Sequence, residues 1–143
     1  MVTLGNKEFF PGIEKIQFEG NKSTNPLAFR YYEENRKTGV KSMKDHFRFV
    51  VAYWHSFFAG MKDQFGSETR IMSRNDSKDP MQRAKDKMDA AFEFITKMGI
   101  PYYCFHDLDL VDEVNFFTDY EKRLKLMMDY ASQKQKASGV KLL

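Results

Sequence analysis

His106 and Asp109 are the two residues of this chain whose types and spacing could do acid–base chemistry. An imidazole titrates close to neutral pH, and a carboxylate brought beside it can accept a ring N–H, hold one tautomer and stabilise the imidazolium. Two readings stay open at this level. One is such an orienting pair; the other is a strand-end histidine satisfied by a backbone carbonyl, because a bare His-x-x-Asp does not decide between them. Asp107 and Asp112 lie nearby, but hard cations need several converging oxygens, so neither is taken as a metal ligand. Cys104 is the only cysteine, which excludes an internal disulfide and a cysteine-based zinc site.

The elements that must position this pair follow from periodicity. Tyr102, Tyr103, Cys104 and Phe105 form an apolar and aromatic run after Gly99 and Pro101, which predicts a strand, buried on both faces, within residues 100–110. Alternation puts His106 on the face of Tyr102 and Cys104 and Asp107 on the other, with Asp109 past the strand end, where a turn could return it to the imidazole. Upstream, Asp79-Pro80 opens a helix whose apolar positions are Met81, Ala84, Met88, Ala91, Phe92, Ile95 and Met98, with Gly99 as its stop. Downstream, Thr118 with Glu121 reads as a capping box. Tyr120, Leu124, Met127, Met128 and Ala131 then make a buried stripe, Lys134 and Lys136 complement the helix dipole, and Gly139 ends the helix before a strand begins at Val140. Residues 46–58 form the first strong strand, apolar on both alternating sets, although a run of that length also suits a helix.

The resulting order of strand, helix, glycine, strand, helix, glycine, strand implies parallel strands joined by right-handed crossovers. No Gly-x-Gly-x-x-Gly follows a strand, which argues against a dinucleotide-binding open sheet. His106 and Asp109 fall at a strand's C-terminal end and in the loop after it, where barrel enzymes place their chemistry. Residues 1–43 carry few regular signals; Ile13 to Glu19 could make a short strand, and Phe29, Tyr31 and Tyr32 are read as buried packing area, not a stacking platform for bases. The Gly-, Ser-, Asp- and Asn-rich stretch over residues 60–79 is a loop long enough to carry function.

With 42% hydrophobic and 30% charged residues the chain can build a packed core. The net charge of +3, from 23 basic and 20 acidic residues, is spread without a basic block, so no nucleic-acid partner is expected. No run approaches the ~18 apolar residues of a membrane span, and a cytoplasmic protein is expected.

The string Lys97-Met98-Gly99-Ile100-Pro101-Tyr102-Tyr103-Cys104-Phe105-His106-Asp107-Leu108-Asp109, together with Phe92-Glu93-Phe94, resembles the xylose isomerases, in particular the class with a longer N-terminal segment. Lys15-Ile16-Gln17-Phe18-Glu19-Gly20, Asn25-Pro26-Leu27-Ala28-Phe29-Arg30-Tyr31-Tyr32, Met43-Lys44-Asp45, Arg48-Phe49, Ala52-Tyr53-Trp54-His55 and the closing Gly139-Val140-Lys141-Leu142-Leu143 are similar to the same family. The resemblance spans nearly the whole chain, which corresponds to roughly the first third of a family member, and a barrel of about 250 residues cannot close in 143.

It implies an α/β fold: the first βα units of an incomplete (β/α)8 TIM barrel over residues 46–143, after an irregular N-terminal extension over residues 1–45. The implied parent interconverts D-xylose and D-xylulose, and D-glucose and D-fructose, by ring opening and a metal-assisted hydride shift. His106 would act on the ring oxygen, with Asp109 orienting it. Trp54 would line the sugar pocket, and Phe65, within Asp63-Gln64-Phe65-Gly66, would enter the site of a neighbouring subunit. Gln64 replaces the family's usual proline, and Ile71-Met72-Ser73 departs from its Arg-Pro-Trp. Two divalent cations, Mg²⁺ or alternatively Mn²⁺ or Co²⁺, would be bound by residues beyond Leu143, with no ligand in this chain. A homotetramer is implied for the parent. A related metal-dependent sugar isomerase or epimerase, or a non-catalytic truncated product, are the alternatives.

Overall fold

The computed structural model describes residues 5, 7–53, 57, 72, 74, 76–112 and 114–143. Three short strands, β3 (Val50–Ala52), β4 (Tyr102–Cys104) and β5 (Lys141–Leu142), pair in parallel in the order β3-β4-β5. Val50, Tyr102 and Lys141 are in register, as are Val51, Tyr103 and Leu142. The strands are joined through α2 (Pro80–Met98) and α4 (Phe117–Ser138), as parallel neighbours require. The architecture is mixed α/β, and these three strands do not close a barrel.

Helix α2 forms where local chemistry demands it. The Asp79 carboxylate accepts the Met81 N–H at 3.0 Å, Pro80 occupies the first helical position, and Gly99 ends the helix at φ 68°, a left-handed geometry that costs a residue without Cβ nothing. Gly139 repeats that ending on α4 at φ 76°. The facing stripes of the helices meet over one side of the sheet: Met88, Phe92 and Ile95 from α2, Met127 and Ala131 from α4, Val51 and Tyr103 from the strands. The Phe92 and Tyr103 rings meet edge to face with centroids 5.1 Å apart.

Several expectations are corrected. The strands are far shorter than residues 46–58 and 100–110: His46 closes the one-turn helix α1 (Met43–His46), and residues 107–110 form another, α3 (Asp107–Leu110). The sheet is not buried on both faces. Val51 and Tyr103 are buried, whereas Val50, Ala52, Tyr102 and Cys104 are half-buried, because the helices cover one face only. Thr118 is not a cap: α4 starts at Phe117 with Phe116 as its N-cap, and no side chain caps it. Met128 points outward. Lys134 is buried in an ion pair with Asp89 and does not serve as an exposed charge at the helix end.

In the N-terminal part, the expected Ile13–Glu19 strand reduces to one parallel bridge, Phe18 to Phe29. A hairpin not foreseen, β1 (Lys37–Thr38) with β2 (Lys41–Ser42), leads into α1. Tyr32 stands edge-on to both Phe29 and Phe49, so these two aromatics pack as expected, while Tyr31 is exposed.

Residues 8–10 and 16 are strapped to α2. The buried Glu93 carboxylate accepts the N–H groups of Phe9 (2.7 Å) and Phe10 (3.0 Å). The Lys97 ammonium donates to Glu8 (3.0 Å), the Phe10 carbonyl (2.7 Å) and Glu93 (2.8 Å), and the Ile16 N–H donates to the Lys97 carbonyl at 2.7 Å. Burial alone would raise the Glu93 pKa, but the Lys97 ammonium and the two N–H donors outweigh it and leave it below the ordinary carboxylate value. A depressed folded-state pKa gives a contribution that is complete above the unfolded value and lost as pH falls through the folded one. Glu93→Gln is therefore expected to speed exchange of the Phe9 and Phe10 amides by about tenfold at neutral pH. Wild-type protection, corrected for intrinsic rates, should decline only below the ordinary carboxylate range. Equal protection in the two proteins at pH 7 would refute the clamp.

Candidate functional site

The C-terminal ends of β3 and β4 place the sequence's chemically capable residues. Past Cys104 the chain leaves the sheet, and His106 becomes the N-cap of α3 in an extended conformation (φ −99°, ψ 161°). Asp109, three residues on, sends its Oδ2 back to accept the His106 backbone N–H at 2.7 Å, and the Asp109 N–H donates to the His106 carbonyl at 3.0 Å. The two residues close a capping box at the start of α3.

The same Oδ2 lies 3.6 Å from His106 Nδ1. That is outside hydrogen-bond reach, so the carboxylate's short contact is with the main chain of His106 and not with its ring. The two side chains differ in exposure. The His106 side chain is 64% exposed, and that of Asp109 is 4% exposed. Such a pair presents a titratable ring to solvent or ligand while a buried anion fixes the main chain from which the ring projects.

Asp107 and Asp112 are both tied to other groups. The Tyr120 hydroxyl donates to Asp107 Oδ2 at 2.8 Å, and this bond is the largest of the influences holding the Asp107 pKa below its ordinary value. Asp112 pairs with Arg83 at 3.3 Å. Among the described residues no three His, Cys, Asp or Glu side chains converge on a point that could hold a metal ion. Trp54 follows Tyr53 directly past the end of β3, and it and Phe65 lie outside the described residues.

Two features were missed from the sequence. Tyr53, read there as one more strand residue, is buried at 1% exposure, with its hydroxyl lacking a hydrogen-bond partner. Asp89 and Lys134, on the facing helices, form a buried ion pair. Neither has a local sequence signal, since both arise from packing between distant segments.

No family model matches the chain. Curated proteins do. A protein of Bacteroides thetaiotaomicron named xylose isomerase is 54% identical over 140 residues, covering 98% of this chain and 32% of that protein. Proteins of Phocaeicola vulgatus, named xylose isomerase, and Xanthomonas axonopodis pv. citri, named xylose isomerase 1, are each 51% identical over the same shares. The chain thus spans about a third of the length of the curated relatives it matches.

Proposed function

The chain is related along nearly its whole length to an N-terminal portion of the xylose isomerases, and from that premise we propose that the complete protein interconverts D-xylose and D-xylulose, and D-glucose and D-fructose. The observation that carries the proposal is identity above one half to proteins of that name across 98% of the chain. Parallel strands in sequential order, each pair joined through a helix, support reading residues 46–143 as the first βα units of a (β/α)8 barrel and residues 1–45 as an extension before it.

Opening a sugar ring moves a proton from the anomeric hydroxyl to the ring oxygen. His106 is the group assigned to that oxygen, because its ring is 64% exposed and open to a bound sugar and its nitrogens can donate or accept a proton. Asp109 is the orienting residue: it holds the His106 main chain at 2.7 Å. Trp54 and Phe65 are assigned as apolar walls that keep water from the reacting carbons. Two divalent cations, Mg²⁺ or alternatively Mn²⁺ or Co²⁺, supply polarisation of the sugar oxygens during the hydride shift between C1 and C2. By the resemblance they are assigned to residues beyond Leu143; among the described residues no three His, Cys, Asp or Glu side chains converge. A cytoplasmic homotetramer belongs to the same proposal; among the described residues no helix is long and apolar enough to cross a membrane.

The test compares two purified proteins supplied with Mg²⁺, Mn²⁺ or Co²⁺. The complete protein should convert D-xylose to D-xylulose, and residues 1–143 alone should give no turnover. A complete protein without ketose product would sink the proposed activity. Robust turnover by the 143-residue chain would instead sink the placement of the metal ligands.

A further inference from the structure

Helix α3 is too short to hold itself in place. It has four residues, Asp107–Leu110, and a single turn of helix fixes more backbone than its hydrogen bonds return. Side chains must therefore supply both its shape and its seat. The Asp109 carboxylate on the His106 N–H, at 2.7 Å, shapes the turn from within. That bond does not say where the turn sits on the rest of the fold.

The seat comes from contacts at its two ends. At the far end Leu110 and Val111 are buried in the core shared by sheet and helices, and Asp112 pairs with Arg83 of α2 at 3.3 Å. At the near end, beside His106, the Tyr120 hydroxyl of α4 donates to Asp107 Oδ2 at 2.8 Å. Tyr120 is suited to anchor: its half-buried ring packs against the same core, and the helix that carries it is joined to α2 by the Asp89–Lys134 pair. Asp107 is exposed, so the bond adds little to the stability of the whole fold and its effect is local. It ties the residue next to the imidazole to the helical layer. The His106 side chain is 64% exposed, so the place of its ring follows the main chain beneath it.

On the proposed reading of this site, we propose that Tyr120 is a positioning residue for His106: through Asp107 its hydroxyl holds α3 against α4 and fixes where the imidazole meets the sugar. A reacting group must be held to within about 0.5 Å of its productive place. Losing that hold costs rate and leaves binding nearly intact.

The test is Tyr120→Phe in the complete protein, which keeps the ring and its packing and removes the donor. The amides of His106, Asp109 and Val111, whose bonds close the turn, should exchange about tenfold faster, while those of Met127 and Ala131 in α4 keep wild-type protection. With D-xylose, kcat should fall about tenfold, with KM and thermal midpoint little changed. Asp107→Asn keeps an oxygen acceptor for the phenol and should retain most of the turnover. Asp107→Ala should fall as far as Tyr120→Phe, and the two together no further, because the same bond is lost only once. Exchange needs no turnover, so it separates this proposal from the isomerase reading: faster exchange of the α3 amides in a protein that does not isomerise sugars upholds the tie and sinks that activity. Unchanged α3 exchange in Tyr120→Phe overturns the proposal, and so does an active enzyme whose kcat this substitution leaves intact. An Asp107→Asn variant as impaired as Asp107→Ala also overturns it, since the charge of Asp107 and not the bond from Tyr120 would then be what matters.

Discussion

Replacing His106 with Gln in the complete protein is expected to lower sugar turnover by about two to three orders of magnitude, the usual scale for loss of a positioned acid–base group. It should do so with almost no change in thermal midpoint. The asymmetry comes from exposure: the His106 side chain is 64% exposed, so its removal uncovers little core. Asp109 is the contrasting position. Asp109→Ala removes the acceptor of the His106 N–H from a buried site, and loss of such a cap costs about 0.5–2 kcal/mol of stability. The two substitutions therefore separate chemistry from architecture within one turn of chain. Turnover assays with D-xylose beside thermal melts would check both. If His106→Gln isomerises like wild type, the role assigned to the imidazole is wrong; if it melts many degrees lower, the ring is structural.

Elements governed by local chemistry were legible in the sequence. The Asp79-Pro80 start of α2 and the glycine stops at Gly99 and Gly139 follow from groups within one helical turn, and all three are where the spacing put them. Strand lengths were not legible, because an apolar run shows only that residues avoid water, while a ladder also needs a partner. β4 stops at Cys104 because the chain turns there into α3, pinned by the Asp109 carboxylate on the His106 N–H. The His106–Asp109 association was visible as a spacing, but its form was not. The carboxylate reaches the backbone at 2.7 Å and the ring only at 3.6 Å. The Thr118–Glu121 pattern shows the converse error, a capping sequence lying inside a helix that begins earlier.

Helices α2 and α4 are joined by a charge pair that no local pattern could announce, and breaking it should be the costliest single polar change in the described fold. Asp89 Oδ1 meets the Lys134 ammonium with both side chains buried, and the Tyr130 hydroxyl donates to the same oxygen at 2.7 Å. Lys134 also lies over the Tyr130 ring, 4.7 Å from its centroid. Burial, and after it the bond to Asp89, pushes the Tyr130 pKa far up, so the phenol stays a neutral donor. Gly5 lies so close to this group that a Cβ on it would collide with the Asp89 side chain. Asp89→Ala would strand a buried ammonium and orphan a phenol, at about 3–5 kcal/mol. Lys134→Met would strand the carboxylate at a similar cost. The double change Asp89→Leu with Lys134→Met should recover most of that loss, because the two charges removed together leave no charge unpaired and only the half-buried Tyr130 hydroxyl loses its acceptor. Native-state hydrogen exchange of the α2 and α4 amides in the complete protein would measure this as lost protection in each single variant and restored protection in the double. If Asp89→Ala leaves α4 as protected as wild type, apolar packing around Met88, Phe92 and Met127 holds the helices together by itself, and the buried charges add no net stability.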